Sequence, residues 1–328
     1  MSDTIRWGIL GAGNIARQFA KGLAAAPGAA LVAVGSRTQE NADRFADEFD
    51  IPRRHPSYAS LADDPEVDAI YVATPHPMHK DNTICCLEAG KAVLCEKPFA
   101  INRREAEAMA ACARAQGRFL MEAMWTRFLP TVVKTREWLA AGVIGEPLMV
   151  RADFGFRAGY DEESRLFAPE MGGGGLLDVG IYPISLAAMV LGTHPEQVAA
   201  LATLGPTGVD DQNVVSFRYA NGAMAITASA IRTNTPQDAH IIGAEGSIYI
   251  HSPFWNGSTV TLSVNGREPE TLELPMRGNG YNYEAEAVMA CMRAGKTECD
   301  VMTLDDSIAI MDILDTARAQ WGLKYPME

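Results

Sequence analysis

The chain has 328 residues, 48% of them hydrophobic, and carries a formal net charge of −13. That length exceeds one ordinary core and predicts two domains, while the composition excludes a disordered chain. A surface this negative repels phosphate backbones, so nucleic acid is excluded as a partner and any phosphorylated cofactor has to be captured by a local site.

In chain order, Ile5–Leu10 is a short apolar run that stops at Gly11, as a buried parallel strand does. Ile15–Ala26 has helical spacing, and Ala30–Gly35 is a second apolar run. Asn41–Phe49 is amphipathic, with Ala42, Phe45, Ala46 and Phe49 on one face. Strand Asp68–Ala73, helix Met78–Ala89, strand Ala92–Cys95, helix Arg103–Ala115 and strand Phe119–Met121 continue the alternation. This pattern predicts an α/β fold opening on a doubly wound parallel sheet with right-handed crossovers.

The pattern changes after residue 123. A helix over Thr131–Ala141 precedes a strand at Leu148–Phe156, and the cluster Gly172–Gly175 opens a helix over Leu177–Leu191. From Gln197 to Leu274 successive strands turn at Ala220-Asn221-Gly222, Glu245-Gly246 and Asn265-Gly266, which predicts a mostly antiparallel sheet. Helices over Tyr283–Ala294 and Leu304–Trp321 end the sequence. The expected division is 1–123 for a Rossmann domain and 124–328 for an α+β domain.

No stretch approaches ~20 uninterrupted apolar residues, so no membrane span is expected. MSDTIRWGIL has no basic region followed by a long apolar core, so no leader is expected either. The six cysteines lack Cys-x-x-Cys spacing and are read as reduced thiols of a cytoplasmic protein. His76-Pro77-Met78-His79 has no accompanying carboxylate or cysteine cluster, so no metal is assigned.

GILGAGNIA places Gly11, Gly13 and Ala16 in the Gly-x-Gly-x-x-Gly/Ala arrangement, with Ala12, Asn14 and Ile15 completing the turn and helix start. Gly11 allows the tight turn, Gly13 lets the backbone approach a pyrophosphate, and Ala16 permits close helix–strand packing. An NAD site usually has an acid about 20 residues further on, accepting from the ribose 2′-OH. Here the second strand ends in Ser36-Arg37. A hydroxyl and a guanidinium suit a 2′-phosphate, so NADP (NADPH) is expected in preference to NAD.

Thr74, Pro75 and His76 follow the strand Asp68–Ala73, at the carboxyl edge where ligands bind in such sheets. Glu96, Lys97 and Pro98 follow the next strand at the same edge. These residues and His79 are candidates for the cofactor site, and Lys97 is placed to reach a substrate oxygen. Asp178 and Tyr182 lie four apart on one helix and share a face. They could assist proton transfer from an alcohol, or act as a helix cap and a core ring. Glu122, Trp125, Arg127 and Phe154 are candidates for a substrate cleft, with packing as the alternative.

Taken together, Gly-x-Gly-x-x-Ala, Ala73-Thr74-Pro75, Glu96-Lys97-Pro98 and Asp178-Val-Gly-Ile-Tyr182 resemble the glucose–fructose oxidoreductase/inositol dehydrogenase (Gfo/Idh/MocA) family over nearly the whole chain. MEAMWTRFLP, ADFGFR, GGGGLLDVGIYP and QWGLKYP look closer to its dimeric dihydrodiol dehydrogenase and NADP-dependent D-xylose 1-dehydrogenase branch. Much of the wider family has histidine where this chain has Tyr182. The resemblance implies that Lys97, Tyr182 and Asp178 are catalytic and that the Lys97-Pro98 bond is cis. It also implies a small-molecule aldose or cyclic diol substrate, and a homodimer or homotetramer formed through the second domain's open sheet. Hydride would pass between nicotinamide and a hydroxyl-bearing carbon, with Tyr182 accepting the proton and Lys97 polarising the oxygen. Two other readings stay open: a glycoside-cleaving enzyme that retains its nucleotide, and a non-catalytic NADP-binding protein.

Overall fold

The computed structural model describes residues 4–328. The chain forms two compact units, one comprising the chain up to Trp125 with Arg277–Ile308, the other Thr126–Met276 with Ala309–Glu328.

The first unit alternates β1 (Ile5–Leu10), α1 (Asn14–Leu23), β2 (Ala29–Gly35), α2 (Gln39–Phe49), β3 (Arg53–His55), α3 (Tyr58–Ala62), β4 (Ala69–Val72), α4 (His79–Glu88), β5 (Ala92–Glu96), α5 (Arg103–Gln116) and β6 (Leu120–Ala123). Its sheet has the order β3-β2-β1-β4-β5-β6, with every pair parallel. The order reverses beside β1, which makes the carboxyl edge there the natural ligand crevice. Trp7, Ile9, Leu10, Val34, Ile70, Tyr71 and Val93 are fully buried in this sheet, which is why its strands read as apolar runs. β3 and α3 were not expected. β3 is three polar residues at a sheet edge, too short to show any periodicity.

The second unit contains α6 (Pro130–Ala140), β7 (Pro147–Gly155), α7 (Ile181–Leu191), β8 (Gln197–Leu204), β9 (Asp210–Arg218), β10 (Met224–Ala230), β11 (Ala239–Gly243), β12 (Gly246–Ile250), β13 (Thr259–Val264) and β14 (Glu270–Glu273). These strands form one sheet in the order β14-β13-β12-β11-β7-β10-β9-β8. Only β7–β10 is parallel. Val150 and Ala152 of β7 are buried on the face that meets α7. The period-two alternation turns Met149, Leu201, Val214, Met224, Ile226 and Ile242 to the opposite face, where each is 36% or more exposed. The helical run Pro169–Leu191 has the length and hydropathy of a membrane span, but 83% of its most apolar window is buried, as expected of a core helix.

The chain closes with α8 (Tyr281–Arg293) and α9 (Leu304–Trp321). The division expected at residues 123/124 leaves Arg277–Ile308 with the second domain, whereas the structure groups that segment with the first unit. The physical reason is α8, which packs on α1, with Asn279 Nδ2 donating to the Gln18 carbonyl at 2.9 Å.

Candidate active site

The nucleotide side is built from strand ends of the first unit. Gly11 sits at φ +105°, and a Cβ there would lie 2.9 Å from the Ala73 carbonyl oxygen, so only glycine fits the turn. Gly13 caps α1 without a side-chain hydrogen bond, and a Cβ at Gly13 would meet nothing within 4 Å. Open space therefore faces the first amides of α1, including those of Asn14 and Ile15, which is what a pyrophosphate requires. Ala12 is partly exposed, while Ala16 is fully buried.

β2 delivers Ser36, 6% exposed, with its amide bonded to the His55 carbonyl at 3.1 Å. Arg37 beside it is exposed and forms no ion pair among the described residues. A guanidinium with no carboxylate partner fits a 2′-phosphate.

The loops after β4 and β5 are tied together from below. His79 is fully buried, with Nδ1 2.8 Å from the Pro98 carbonyl oxygen and Nε2 2.8 Å from that of Thr74. Burial pushes its imidazole below the ordinary range, against the pull of those carbonyls. Buried this way, His79 bears on a cofactor only through the two loops it joins. Asn82 Nδ2 donates to Thr74 Oγ1 at 3.1 Å. Pro75 is partly exposed and His76 is 8% exposed.

Lys97 is partly exposed at the end of β5, and the Lys97-Pro98 bond is cis. Its amide donates to Glu96 Oε2 at 3.1 Å, and the Tyr71 hydroxyl donates to Glu96 Oε1. Glu122 is buried and accepts the Phe99 amide at 2.9 Å, which ties it to the loop after β5. Trp125 stacks on Tyr281 with centroids 4.6 Å apart.

In the second unit, a π-helical turn, Leu176–Gly180, precedes α7 and carries Asp178. Such wide turns recur at functional sites. Asp178 is 5% exposed and accepts Arg165 Nη1 at 2.8 Å. Tyr182 lies one turn on, with its ring 5.4 Å from that of Phe154. Phe154 stacks on Trp255 at 4.5 Å and an interplanar angle of 6°, and Trp255 Nε1 donates to Gln237 Oε1 at 2.9 Å. Asp178, Tyr182 and Phe154 are thus gathered in one unit. Arg127 is buried and holds α7 through Ser185, donating to its hydroxyl at 3.1 Å and its carbonyl at 3.3 Å. Sequence reading missed Arg165, Gln237 and Trp255, which lie in no short motif and reach the cluster only through the fold.

Among the described residues no group of three or more His, Cys, Asp or Glu could hold a metal, and all six cysteines are free thiols.

A glycine turn opening a helix beside β1 is the arrangement of a dinucleotide-binding domain. The chain belongs to the Gfo/Idh/MocA oxidoreductase family: residues 5–124 match its NAD-binding Rossmann-fold model and residues 132–249 its C-terminal domain. The first unit is therefore an NAD(P)-binding domain, and the protein is an oxidoreductase. It is 39% identical to a trans-1,2-dihydrobenzene-1,2-diol dehydrogenase from Mus musculus over 99% of both chains. An enzyme of the same name from Xenopus laevis is 40% identical over 98% of this chain and 99% of its own. Among solved structures, an aldose-aldose oxidoreductase from Caulobacter crescentus superposes with a TM-score of 0.89 at 26% identity, covering 98% of each chain. A 3-ketoreductase from Actinomadura kijaniata in complex with NADP and TDP-benzene gives 0.85 at 27% identity, covering 96% of this chain and 97% of its own.

Proposed function

We propose that this protein is an NADP-dependent dehydrogenase that oxidises a secondary alcohol of a cyclic vicinal diol, with aldoses as the second substrate class. The observation that carries this reading is the cluster around Tyr182: a phenol and a carboxylate on consecutive helical turns, beside the flat stacked wall of Phe154 and Trp255. A planar ring face favours stacking against a cyclic substrate. The relatives named for dihydrodiols point the same way. Ser36 and Arg37, with no acid beside them at the end of β2, support NADP over NAD.

When bound, nicotinamide supplies the hydride-accepting carbon. Tyr182 Oη takes the hydroxyl proton of the alcohol as the C–H bond gives up its electron pair. In this reading Lys97 is the cation that would stabilise charge developing on the alcohol oxygen. Asp178 orients the phenol and Arg165 holds Asp178. Thr74, Pro75, His76, Glu96 and Pro98 shape the nucleotide side, with His79 fixing their loops. Trp125 contributes to the substrate side.

The first unit, including Arg277–Ile308, serves the nucleotide, and Thr126–Met276 with Ala309–Glu328 serve substrate and self-association. The six apolar side chains on the open sheet face form the kind of patch that marks an interface, so the working form is a homodimer or homotetramer through that face. Six free thiols suit the reducing cytoplasm.

The test is an absorbance screen in the nicotinamide band, with NADP and NAD separately, across trans-dihydrodiols, inositols, aldoses and dicarbonyls. Reduction of NADP by a diol or aldose supports the reading. Silence with every substrate overturns it in favour of a nucleotide-retaining glycoside-cleaving enzyme or a non-catalytic binding protein.

A further inference from the structure

The turn that carries Asp178 is gripped by groups the reaction does not touch. Gly174, at φ +110°, comes so close to β9 that a Cβ on it would lie 2.3 Å from Asp210 Oδ1. Asp210 is fully buried, and its Oδ2 accepts the Leu176 amide at 2.8 Å and Asn213 Nδ2 at 2.7 Å. Asn213 Nδ2 also donates to Ser229 Oγ at 2.7 Å, and that hydroxyl lies 2.7 Å from the position a Cβ on Gly180 would take. The turn is thus held at its start by Asp210 and at its end by the Asn213–Ser229 arm. Asp210 Oδ1 has no hydrogen-bond partner among the described residues.

A third anchor comes from the C-terminal segment. The Tyr325 hydroxyl donates to the Gly173 carbonyl at 2.6 Å. The Arg318 guanidinium lies over the Tyr325 ring at 4.9 Å and is paired with Glu328 at 2.8 Å.

We infer that Asp210 is a positioning residue for the reaction: it fixes the Leu176–Gly180 turn so that Asp178, and Tyr182 one turn further on, are presented in a single geometry. This inference rests on the reaction proposed above.

The burial of Asp210 also shifts its titration and gives the variants a pH-dependent readout. Burial pushes its carboxyl up to about 7, against the bonds from Asn213 and the Leu176 amide, and nearby Asp211 pushes in the same direction. The other groups facing it are the Tyr325 phenol, backed by Arg318 and Glu328, and Arg232, which acts on Asp211. Because the folded pKa lies above the ordinary 3.8, the stabilisation is complete below that value and is lost as pH rises through about 7.

The experiment compares Asp210→Ala with the conservative Asp210→Asn, well below the melting temperature. In Asp210→Ala, kcat should fall about tenfold or more through misplacement of the proton acceptor. The NADP dissociation constant should stay at the wild-type value, and the rise in amide hydrogen exchange should be confined to residues 172–182. Asp210→Asn keeps an oxygen for both donors, so it should restore kcat near neutral pH. Above about pH 7 it should melt no lower than wild type, since it has no charge to bury. Asn213→Ala, which removes the far arm and one of the two donors to Asp210 but leaves the bond from the Leu176 amide, should lower kcat in the same direction by a smaller factor, and it decides the matter if Asp210→Ala does not fold. Wild-type kcat and local exchange in Asp210→Ala would overturn the inference, as would failure of Asp210→Asn to restore kcat. If wild-type protein oxidises no substrate, the proposed reaction fails, while the exchange of residues 172–182 still tests whether Asp210 holds the turn.

Discussion

Replacing Arg37 by aspartate tests the nucleotide side with little risk to the fold. The side chain is exposed and has no ion pair among the described residues, so its loss strands no partner. A charge-assisted hydrogen bond to a 2′-phosphate is worth about 1.5–3 kcal/mol. A carboxylate in its place adds repulsion of about 1 kcal/mol at a solvated surface. For NAD, the same carboxylate accepts from the ribose hydroxyl and returns about 1 kcal/mol. Together these move the NADP-to-NAD preference by about 4 kcal/mol, roughly a thousandfold. The assay is the ratio of kcat/KM for the two nucleotides at one fixed substrate concentration, with nucleotide dissociation constants from fluorescence titration. An Arg37→Asp variant that melts normally and keeps wild-type NADP affinity would refute the reasoning, because Arg37 would then be a solvated loop residue.

Gly13→Ala should leave the melting temperature unchanged, since a Cβ there meets nothing within 4 Å in the protein. It should weaken nucleotide binding about tenfold or more by intruding where the pyrophosphate approaches; an unaffected dissociation constant would place the phosphates elsewhere. Asp64 is buried, and burial favours its neutral form, yet Arg53 (Nη2 at 2.8 Å), the Glu66 amide at 2.9 Å and His55 at 2.8 Å together bring its pKa down to about 2. Its stabilisation is therefore complete above the ordinary 3.8 and lost as pH falls through about 2. Asp64→Asn should cost about 1–2 kcal/mol at neutral pH, a figure tempered by the half-exposed Arg53. In denaturant melts the two proteins should converge on acidification, and a deficit independent of pH would show that shape rather than charge matters. If the open sheet face is the proposed interface, Ile226→Glu in its middle should yield a well-folded monomer in light scattering after gel filtration where the wild type is a dimer or tetramer. Wild-type protein that runs as a monomer would remove the interface.

Much of this organisation is legible in the sequence because its signals are local. The run Ile5–Leu10 stops at Gly11, and the alternation of strand and helix to Ala123 gives the parallel sheet directly. The turns at Asn221-Gly222 and Asn265-Gly266 announce hairpins, and β9–β10 and β13–β14 pair antiparallel across them. Short-range pattern fails where long-range contact decides. β3 is Arg-Arg-His, which no periodicity marks as a strand; its pairing with β2 makes it one. Arg277–Ile308 follows the antiparallel strands in sequence, yet its helix returns to pack on α1. Among the candidate residues, Lys97 and Tyr182 stand in recognisable motifs, whereas Trp255 reaches Phe154 from 101 residues away and Asp210 reaches Leu176 from 34. Glu122 and Arg127 show the converse. Both are buried, each with a hydrogen bond to a backbone or side-chain group that the motif alone does not show.

The most direct measurement is NADP reduction by a trans-dihydrodiol, followed in the nicotinamide band, with wild-type protein and Tyr182→Phe side by side. The expected result is substrate-dependent formation of NADPH by the wild type, a rate at least about a hundredfold lower in the variant, and equal nucleotide affinity in both. Turnover by Tyr182→Phe at the wild-type rate would contradict Tyr182 as the proton acceptor. The absence of any signal with dihydrodiols and aldoses alike, using NADP or NAD, would contradict hydride transfer itself.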